Sequence, residues 1–474
     1  MTNLSDLFPA GAGKQVSFTA SGAISAAGKP VILNSAGTVT QVSGLPAAVN
    51  TPIVNGDKIR GSAITYDVAA DKFLWCWPDA GNSVYGTSVV ATVATDGTIT
   101  LGTPVIFAST EVTHIASVYD PDEATHIIAY RDEGGPQYGM TRAGVVTGTA
   151  VAYAAAAVAF ESASTSYISL CYDTVSNQHV IAYCDVANSD IGTCIVGTLV
   201  SGTLSYGTAV TYSGAIDSYS NSIVYDIGHD SVTIGYSDNV NHDIYGVVGV
   251  IGTKTVTFGT PVIGHAPAAT SYNTMATGYD ETAGKTLFIF QDGDNSGYGT
   301  AMVSTASATN TISFGTTSTF ASNTTTYVYP RGLAYDPDRG KMFITFDETV
   351  GKYITGTITG TTASFDTATT LYATTIAYIG TAYDPTNDLM VVAFMDDLST
   401  APVDEGTIVT VRAVATSNLT ATNFIGIADA AISSAASGNI TVKGGIAATG
   451  LTSLTPGSDY YAQDDGSITT SSAG

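Results

Sequence analysis

Short apolar runs recur along the chain, and each run closes on a Tyr-Asp pair. Successive pairs are separated by 53, 53, 53, 54, 56 and 48 residues. The tyrosines of the seven pairs are Tyr66, Tyr119, Tyr172, Tyr225, Tyr279, Tyr335 and Tyr383. Apolar runs of this length, bounded by turn residues and repeated at a fixed period, predict a repeated unit built from short β-strands.

Further residue types recur at similar positions within each unit. Twelve positions after each of these Asp residues stands a second acidic residue, two positions beyond an aromatic one, as in Tyr130 and Asp132. A glycine follows seven to ten residues later, and most units add a Gly-Thr-x-Val segment such as the one starting at Gly102. We therefore expect four strands per unit, which in the second unit cover residues 114–119, 126–130 and 138–146, with the fourth opening at 151–153. We interpret the recurring Asp residues as caps of strand ends and turns.

Seven four-stranded units predict an all-β fold, a seven-bladed β-propeller. An open solenoid is the alternative, but it would need polar caps at both ends. The last unit has no clear fourth strand after about residue 414. A strand from within about residues 39–53 could complete that unit and close the propeller.

The two ends of the chain differ from the middle, being rich in Ala, Gly, Ser and Thr and poor in aromatic residues. Each end contains alternating residues around an Asn/Asp…Gly turn, at Asn34–Gly37 and near Gly466, which predicts a β-hairpin in both. We expect a small β-rich base domain formed by both termini. The predicted division is 1–50 for the N-terminal part of this base and the closing strand, 51–415 for the propeller, and 416–474 for the C-terminal part of the base.

Composition and charge narrow the functional classes. Only 12% of residues are charged, 50 are glycine, and 40 acidic side chains stand against 15 basic ones, giving a net charge of −25. A surface of this sign repels nucleic acid and anionic membranes, so neither is an expected partner. The first residues show no secretory signal pattern, and no run of about 18 apolar residues predicts a transmembrane span or membrane insertion.

No catalytic motif is recognisable. The six histidines show no metal-ligand spacing, and no nucleophile elbow, phosphate loop or dinucleotide fingerprint occurs. A hydrolase would need polar residues, unique to one or two blades, that converge on the channel, and the sequence does not reveal such a set. We therefore expect a protein that is not an enzyme.

Two candidate sites remain, both in the connections that follow the second strand of a unit. Asp292, Asp294 and Ser296 alternate oxygen ligands around glycine, as calcium loops do, although an ordinary polar turn is the alternative. No other cofactor is expected. Because variable loops on a rigid scaffold often carry recognition, the candidate ligand contacts are the aromatic residues near these loops, unless they pack inside the blades. These residues are Trp77, Tyr85, Tyr138 and Tyr298.

Both ends carry segments that resemble virion proteins of tailed, especially marine, bacteriophages. The segments are GKPVILNSAGTV at residues 28–39, NFIGIA at 423–428, LTPGSDYY at 454–461 and DGSIT at 465–469. The resemblance covers about a quarter of the chain.

This resemblance implies a structural protein of the tail fibre, tail tip or capsid fibre. Such a protein would be made in the host cytoplasm and released in the virion by lysis. Its partners would be other virion proteins, copies of itself, and a glycan or protein of the host surface. A secreted or surface carbohydrate-active propeller, either a lectin or a glycoside hydrolase, is the alternative.

Overall fold

A computed structural model describes residues 15–45, 47–153, 155–266, 274–323, 327–396, 404–414, 416–417, 419, 423–442, 460–463 and 466–470. The described part is almost entirely β-structure, with a single short 3-10 helix at Val186–Asn188. Within it, no helix is both long and apolar enough to cross a membrane. The chain divides into two compact units, residues 1–48 with 412–474, and residues 49–411.

The larger unit repeats one antiparallel arrangement seven times, and we call its strands a, b, c and d in chain order. The a strands, two of which begin as the d strand of the preceding repeat, are Ala63–Asp67, Val105–Asp120, Val158–Asp173, Ser218–Asp226, Met275–Asp280, Tyr327–Asp336 and Ile376–Asp384. The b strands are Lys72–Asp79, Thr125–Asp132, Gln178–Asp185, Ser231–Asp238, Lys285–Asp292, Lys341–Asp347 and Leu389–Asp396. The c strands are Tyr85–Val93, Tyr138–Thr147, Ile191–Val200, Ile244–Gly252, Tyr298–Ala306, Gly351–Thr359 and Glu405–Arg412.

The d position is occupied by short segments that pair with strand c. Those that follow the first turn after strand c are Ile99–Leu101, Ala150–Ala152, Thr203–Tyr206, Thr255–Phe258, Ile312–Phe314 and Thr362–Phe365. The segments farther along the chain are Val210–Thr211, Val262–His265, Ser318–Ala321 and Thr369–Tyr372. A further short strand, Ala48–Val49, lies at the start of the unit. The last repeat takes its d strand, Ile53–Lys58, from the start of the unit, where it pairs antiparallel with strand c Glu405–Arg412.

The a strands of successive repeats contact one another, and the a strand of the last repeat contacts that of the first. The arrangement is therefore closed, and the prediction of an all-β propeller is confirmed. The pairing of a segment before residue 60 with the last blade is confirmed as well, although this strand begins at Ile53, where the expected range of 39–53 ends.

The Tyr-Asp pair binds each blade to the one before it. Asp120 is buried, and its Oδ1 accepts hydrogen bonds from the backbone N–H groups of Asp122 and Glu123 at 3.0 and 3.1 Å, which caps the turn between strands a and b. The hydroxyl of Tyr172, in the next blade, donates to the same oxygen at 2.9 Å. Tyr225 makes the equivalent contact with Asp173. In these blades the carboxylate of the pair therefore caps a turn and also accepts a hydrogen bond from the neighbouring blade.

Removing one of these hydroxyl groups tests this account. We expect Tyr172→Phe to lower the free energy of unfolding by about 2 kcal/mol, since it removes a buried hydrogen bond to a carboxylate. Chemical denaturation at neutral pH measures the change. Tyr138→Phe is the matched control, because no hydrogen bond of its hydroxyl is recorded among the described residues, and it should shift stability by less than about 0.5 kcal/mol. Equal losses in the two variants would contradict this role.

Close packing between adjacent blades explains the glycine of most Gly-Thr-x-Val segments. A Cβ at Gly207 would overlap the carbonyl oxygen of Lys254 in the turn after strand c of the next blade, and one at Gly102 would overlap that of Thr149. Gly148, which the sequence pattern groups with them, lies instead in the turn between Tyr138–Thr147 and Ala150–Ala152, with φ +62° and nothing within 4 Å. The grouping of Gly148 with the other glycines is therefore wrong, because it serves a tight turn and not a contact between blades.

The smaller unit contains a five-stranded sheet that both termini build. Its strands lie in the order Gln15–Thr19, Ser437–Val442, Phe424–Ala428, Pro30–Leu33 and Val39–Gln41. Short pairs are formed by Gly44–Leu45 with Thr416–Ser417 and by Tyr461–Ala462 with Ile468–Thr469. Its core includes the buried Ile24, Val31, Ile425 and Ile440. Both predicted hairpins are confirmed, and Gly37 and Gly466 each take a φ of +77° in their turns.

Candidate functional site

The a strands are interrupted at one common place. Between Thr113 and Ala116 the register with strand b shifts, and similar shifts occur in four other blades. In four blades the bulged residue is not glycine, yet it has a positive φ, as in His114 at 48° and Tyr167 at 48°. A left-handed backbone at such residues costs free energy, and bulges and strained residues recur beside functional sites as well as in turns.

The bulges surround a cavity of about 480 Å³ inside the propeller. It is lined by Arg60, Gly61, Ser62, Thr113, His114, Ile115, Tyr167, Ile168, Tyr219, Ser220, Asn221, Thr274, Tyr329, Pro330, Arg331, Tyr378 and Ile379. All of these residues stand seven, six or five positions before the Asp of a Tyr-Asp pair. Below them, the hydroxyl of Ser222 lies 3.5 Å from the carbonyl oxygen of Pro330, so strands a of the fourth and sixth blades approach one another across the channel.

These three positions differ between blades, whereas the Tyr-Asp pair that follows them does not. The middle position holds Gly61, His114, Tyr167, Ser220, Thr274, Pro330 or Tyr378. The third position is a serine, an aliphatic residue, an asparagine, a methionine or an arginine, depending on the blade. A scaffold that is constant in its turns and varied around one cavity is typical of a binding site.

Aromatic rings form much of the wall. The ring of His114 lies 5.1 Å from that of Tyr167, which lies 4.5 Å from that of Tyr219, so three neighbouring blades supply a continuous aromatic surface. Tyr329 and Tyr378, from the sixth and seventh blades, have their ring centroids 6.4 Å apart. The ring of Tyr378 is 43% exposed and is therefore available for contact.

The same wall carries buried polar atoms without a partner among the described residues. These atoms are the side-chain nitrogen Nδ2 of Asn221, the hydroxyl of Thr274 and the Nε of Arg331. Asn221 uses its other atom, Oδ1, to accept a hydrogen bond from Ser169 at 2.5 Å, which fixes its amide group so that Nδ2 is the free donor. Buried donors without partners cost free energy. A polar ligand in the cavity would accept hydrogen bonds from them and remove this cost.

His114 is held as a neutral side chain. Its Nδ1 accepts a hydrogen bond from the backbone N–H of Tyr167 at 3.2 Å. Burial and the nearby Arg131 and Arg331 lower the pKa of His114 to about 4, although Glu133 acts in the opposite direction. A neutral imidazole that accepts at Nδ1 carries its hydrogen on Nε2. The nitrogen that remains is therefore a hydrogen-bond donor and not a general base.

The aromatic residues proposed from the sequence do not form this site. Trp77 is fully buried, with its ring 4.9 Å from that of Trp75 in the core between blades, and its prediction as a ligand contact is wrong. It lies on a b strand, which has neighbouring strands on both edges and packed blades on both faces. Tyr85, Tyr138 and Tyr298 begin c strands and are partly exposed, and none of them lines the cavity. They stay predictions.

Asp292 makes the hydrogen bonds of an ordinary polar turn, and calcium binding by Asp292, Asp294 and Ser296 stays a prediction. Oδ1 of Asp292 accepts a hydrogen bond from the backbone N–H of Asp294 at 3.1 Å and lies 3.1 Å from Nε2 of His265. The corresponding Asp79, Asp132 and Asp238 cap their own turns in the same way. Across the described ranges, no three His, Cys, Asp or Glu side chains are grouped so as to hold a metal ion. The recurrence of the second acidic residue is thus explained by turn capping.

The sequence contained a signal for the cavity that reasoning from motifs missed. When the seven copies are aligned on their Tyr-Asp pairs, the positions seven to five residues before the Asp bring together Arg60, His114, Asn221 and Arg331, each from one blade. The expectation that no polar residues unique to single blades converge on the channel is therefore wrong. A search for variation between the copies, in addition to constancy, would have found these positions.

Comparison with known proteins gives no family for the chain. No family model and no curated protein matches it. Among solved structures, a protein from Lactobacillus plantarum has 13% identity and a TM-score of 0.48, and the match covers 76% of this chain and 97% of that one. The polysaccharide lyase Uly1 has 8% identity and a TM-score of 0.45, with 78% and 100% covered. Similarities at this level identify neither a family nor an activity.

Proposed function

We propose that this chain is a non-enzymatic recognition protein whose propeller binds a saccharide in the axial cavity, and that it is displayed on a phage virion. The observation that carries the binding proposal is the convergence of three varied positions from the a strands on one cavity, in a scaffold whose other marks repeat. The virion part rests on the resemblance of the chain ends to tail-fibre, tail-tip and capsid-fibre proteins.

The chemistry of the wall favours a saccharide. A sugar ring has apolar C–H faces and a rim of hydroxyl groups, so it can stack on tyrosine rings while it accepts hydrogen bonds at its edge. The cavity offers both kinds of group, in the aromatic surface of Tyr167 and Tyr219 and in the unpaired donors of Asn221 and Arg331. Preformed pockets of this kind combine apolar contact with a few placed polar groups.

The same residues favour binding over hydrolysis. Glycoside hydrolases generally act with a pair of carboxyl groups on either side of the bond that is cleaved. No Asp or Glu is among the described residues that line the cavity, and residues 267–273, which precede Thr274, contain none in the sequence. His114 presents a donor and not a base. We therefore propose that the ligand is bound without being cleaved.

A cavity variant and a loop variant together test the binding proposal. Multivalent protein is applied to an array of bacterial surface glycans, and the affinity for each bound glycan is then measured by titration. We expect Tyr219→Ala to weaken binding about tenfold. The variant removes one ring on which the sugar stacks, and such a contact contributes about 1.4 kcal/mol to the binding free energy. Tyr138→Ala, at the start of a c strand outside the cavity, should leave binding unchanged.

The results separate the alternatives. Loss of binding in Tyr138→Ala with normal binding in Tyr219→Ala would move the site to the b–c loops. Absence of any glycan binding by multivalent wild-type protein would contradict the recognition role, and release of shortened saccharides would contradict the non-enzymatic one. Detection of the chain by mass spectrometry in purified phage particles tests its place in the virion.

A further inference from the structure

The cavity has a charge opposite to that of the chain as a whole. The chain has only six arginines among its 15 basic residues, and its net charge is −25. Two of these arginines, Arg60 and Arg331, line the cavity, and no described acidic side chain joins them there. A locally positive cavity in an acidic protein focuses anions at that place.

Arg331 differs from the arginines that have structural roles. Arg131 pairs with Glu133 at 2.9 Å, and Arg339 pairs with Asp336 at 2.8 Å and also with Asp388. Arg331 makes no ion pair among the described residues, and its Nε has no hydrogen-bond partner there. Burial lowers the pKa of Arg331 to about 10, so the guanidinium still carries its charge at neutral pH.

Arg331 is partly buried, and removing a cation from water without a counter-charge costs free energy. Glu133, whose charge acts on His114, is already bound by Arg131 and accepts hydrogen bonds from Thr113 at 2.6 Å and from Gln137 at 3.0 Å. It is therefore not free to neutralise Arg331. The guanidinium also has the planar donor geometry that matches carboxylate and sulfate oxygens.

We infer that the axial cavity takes an anionic saccharide, in which a carboxylate or sulfate group pairs with Arg331 while the sugar ring lies against the tyrosines. This inference rests on the proposed function and adds the chemical class of the ligand. Arg60, on the first blade, places a second positive charge on the same cavity. The saccharide is thus selected by its charge as well as by its shape.

Ligand pairs that share one saccharide and differ in charge provide the test. The probes are tetragalacturonate with its fully methyl-esterified form, and a sulfated galactan tetrasaccharide with its unsulfated form, each titrated by calorimetry into the full-length chain. We expect wild-type protein to bind at least one of the two anionic probes ten times more tightly than its neutral form, and the pair that shows the preference identifies carboxylate or sulfate. Arg331→Met should abolish this preference, because it weakens binding of the anionic probe far more than binding of its neutral form. Arg142→Met is the matched control, because Arg142 stacks on the ring of Tyr153 outside the cavity.

Thermal unfolding without ligand keeps the test independent of folding defects. We expect Arg331→Met to melt at or above the temperature of the wild type, since it removes a partly buried charge that has no ion-pair partner among the described residues. A melting temperature several degrees lower would show that Arg331 is structural, which would overturn the inference. If wild-type protein binds neutral glycans but neither anionic probe with preference, the inference fails and the proposed function stands. If it binds no saccharide at all, both fail.

Discussion

The propeller should lose stability as the pH falls from about 6 to about 4, because buried histidines resist protonation. His126 and His179 are both 0% exposed, at the same position of strand b in the second and third blades. Burial, together with the nearby Lys254, lowers the pKa of His179 from 6.5 to about 3, and burial lowers that of His126 although Asp67 lies 3.4 Å from it.

Stability falls as the pH falls because the pKa of these histidines differs between the folded and the unfolded chain. Because the folded pKa lies below the unfolded one, the unfolded chain takes up the proton first as the pH falls below 6.5, and this favours unfolding. His179 alone should contribute a loss of about 1.4 kcal/mol per pH unit between about pH 6 and pH 4, and His126 adds a loss of the same sign.

A variant isolates this contribution from that of the carboxyl groups. Met342 and Met390 occupy the position of His179 in other blades, so His179→Met keeps an apolar side chain that the fold already accepts there. Denaturant midpoints are measured for both proteins from pH 7.5 to pH 4. We expect the pH slope of His179→Met to be shallower by about 1.4 kcal/mol per pH unit.

Comparison with the variant is needed because burial raises the pKa of Asp57, Asp79, Asp185 and Asp243. These carboxyl groups take up protons more readily when folded, and they oppose the effect of the histidines below about pH 5. They are the same in both proteins and cancel in the difference. Identical pH slopes for the wild type and His179→Met would show that His179 does not resist protonation.

Gly207→Ala should destabilise the propeller by about 3 kcal/mol or more. The added Cβ would overlap the carbonyl oxygen of Lys254. Since that oxygen belongs to the backbone of the next blade, no side-chain rotation relieves the overlap, and the two blades must separate. Similar close approaches occur at Gly102, Gly259 and Gly315.

Gly135→Ala is the control for this prediction. A Cβ at Gly135 would meet nothing within 4 Å, and its backbone does not have a positive φ. The change should shift the free energy of unfolding by less than about 0.5 kcal/mol. Chemical denaturation of the two variants checks the difference, and equal stability of Gly207→Ala and the wild type would mean that adjacent blades do not touch at this glycine.

The repeat could be predicted from the sequence because its recurring residues form turns and caps within short segments of the chain. Asp120 caps a turn two and three residues ahead of it, so its spacing from strands a and b is fixed within the chain. The regular spacing of the seven Tyr-Asp pairs and the hairpins at Gly37 and Gly466 predicted the strands and the all-β class for the same reason. Strand d was less certain, since the pattern placed Gly148 in the wrong structural position.

The set of residues that line the cavity could not be predicted in this way. Arg60, His114 and Arg331 are far apart in sequence, and none belongs to a motif. They share one cavity only because the a strands close around an axis and because bulges in two of these strands bring His114 and Arg331 to that cavity. Trp77 shows the converse, since an aromatic residue near a loop in the sequence is buried once neighbouring blades cover both faces of its strand. The sequence by itself therefore determined the repeated strands and turns, whose causes are local. Only the tertiary structure decided which residues meet, because closure of the propeller sets which side chains from different blades face the axis.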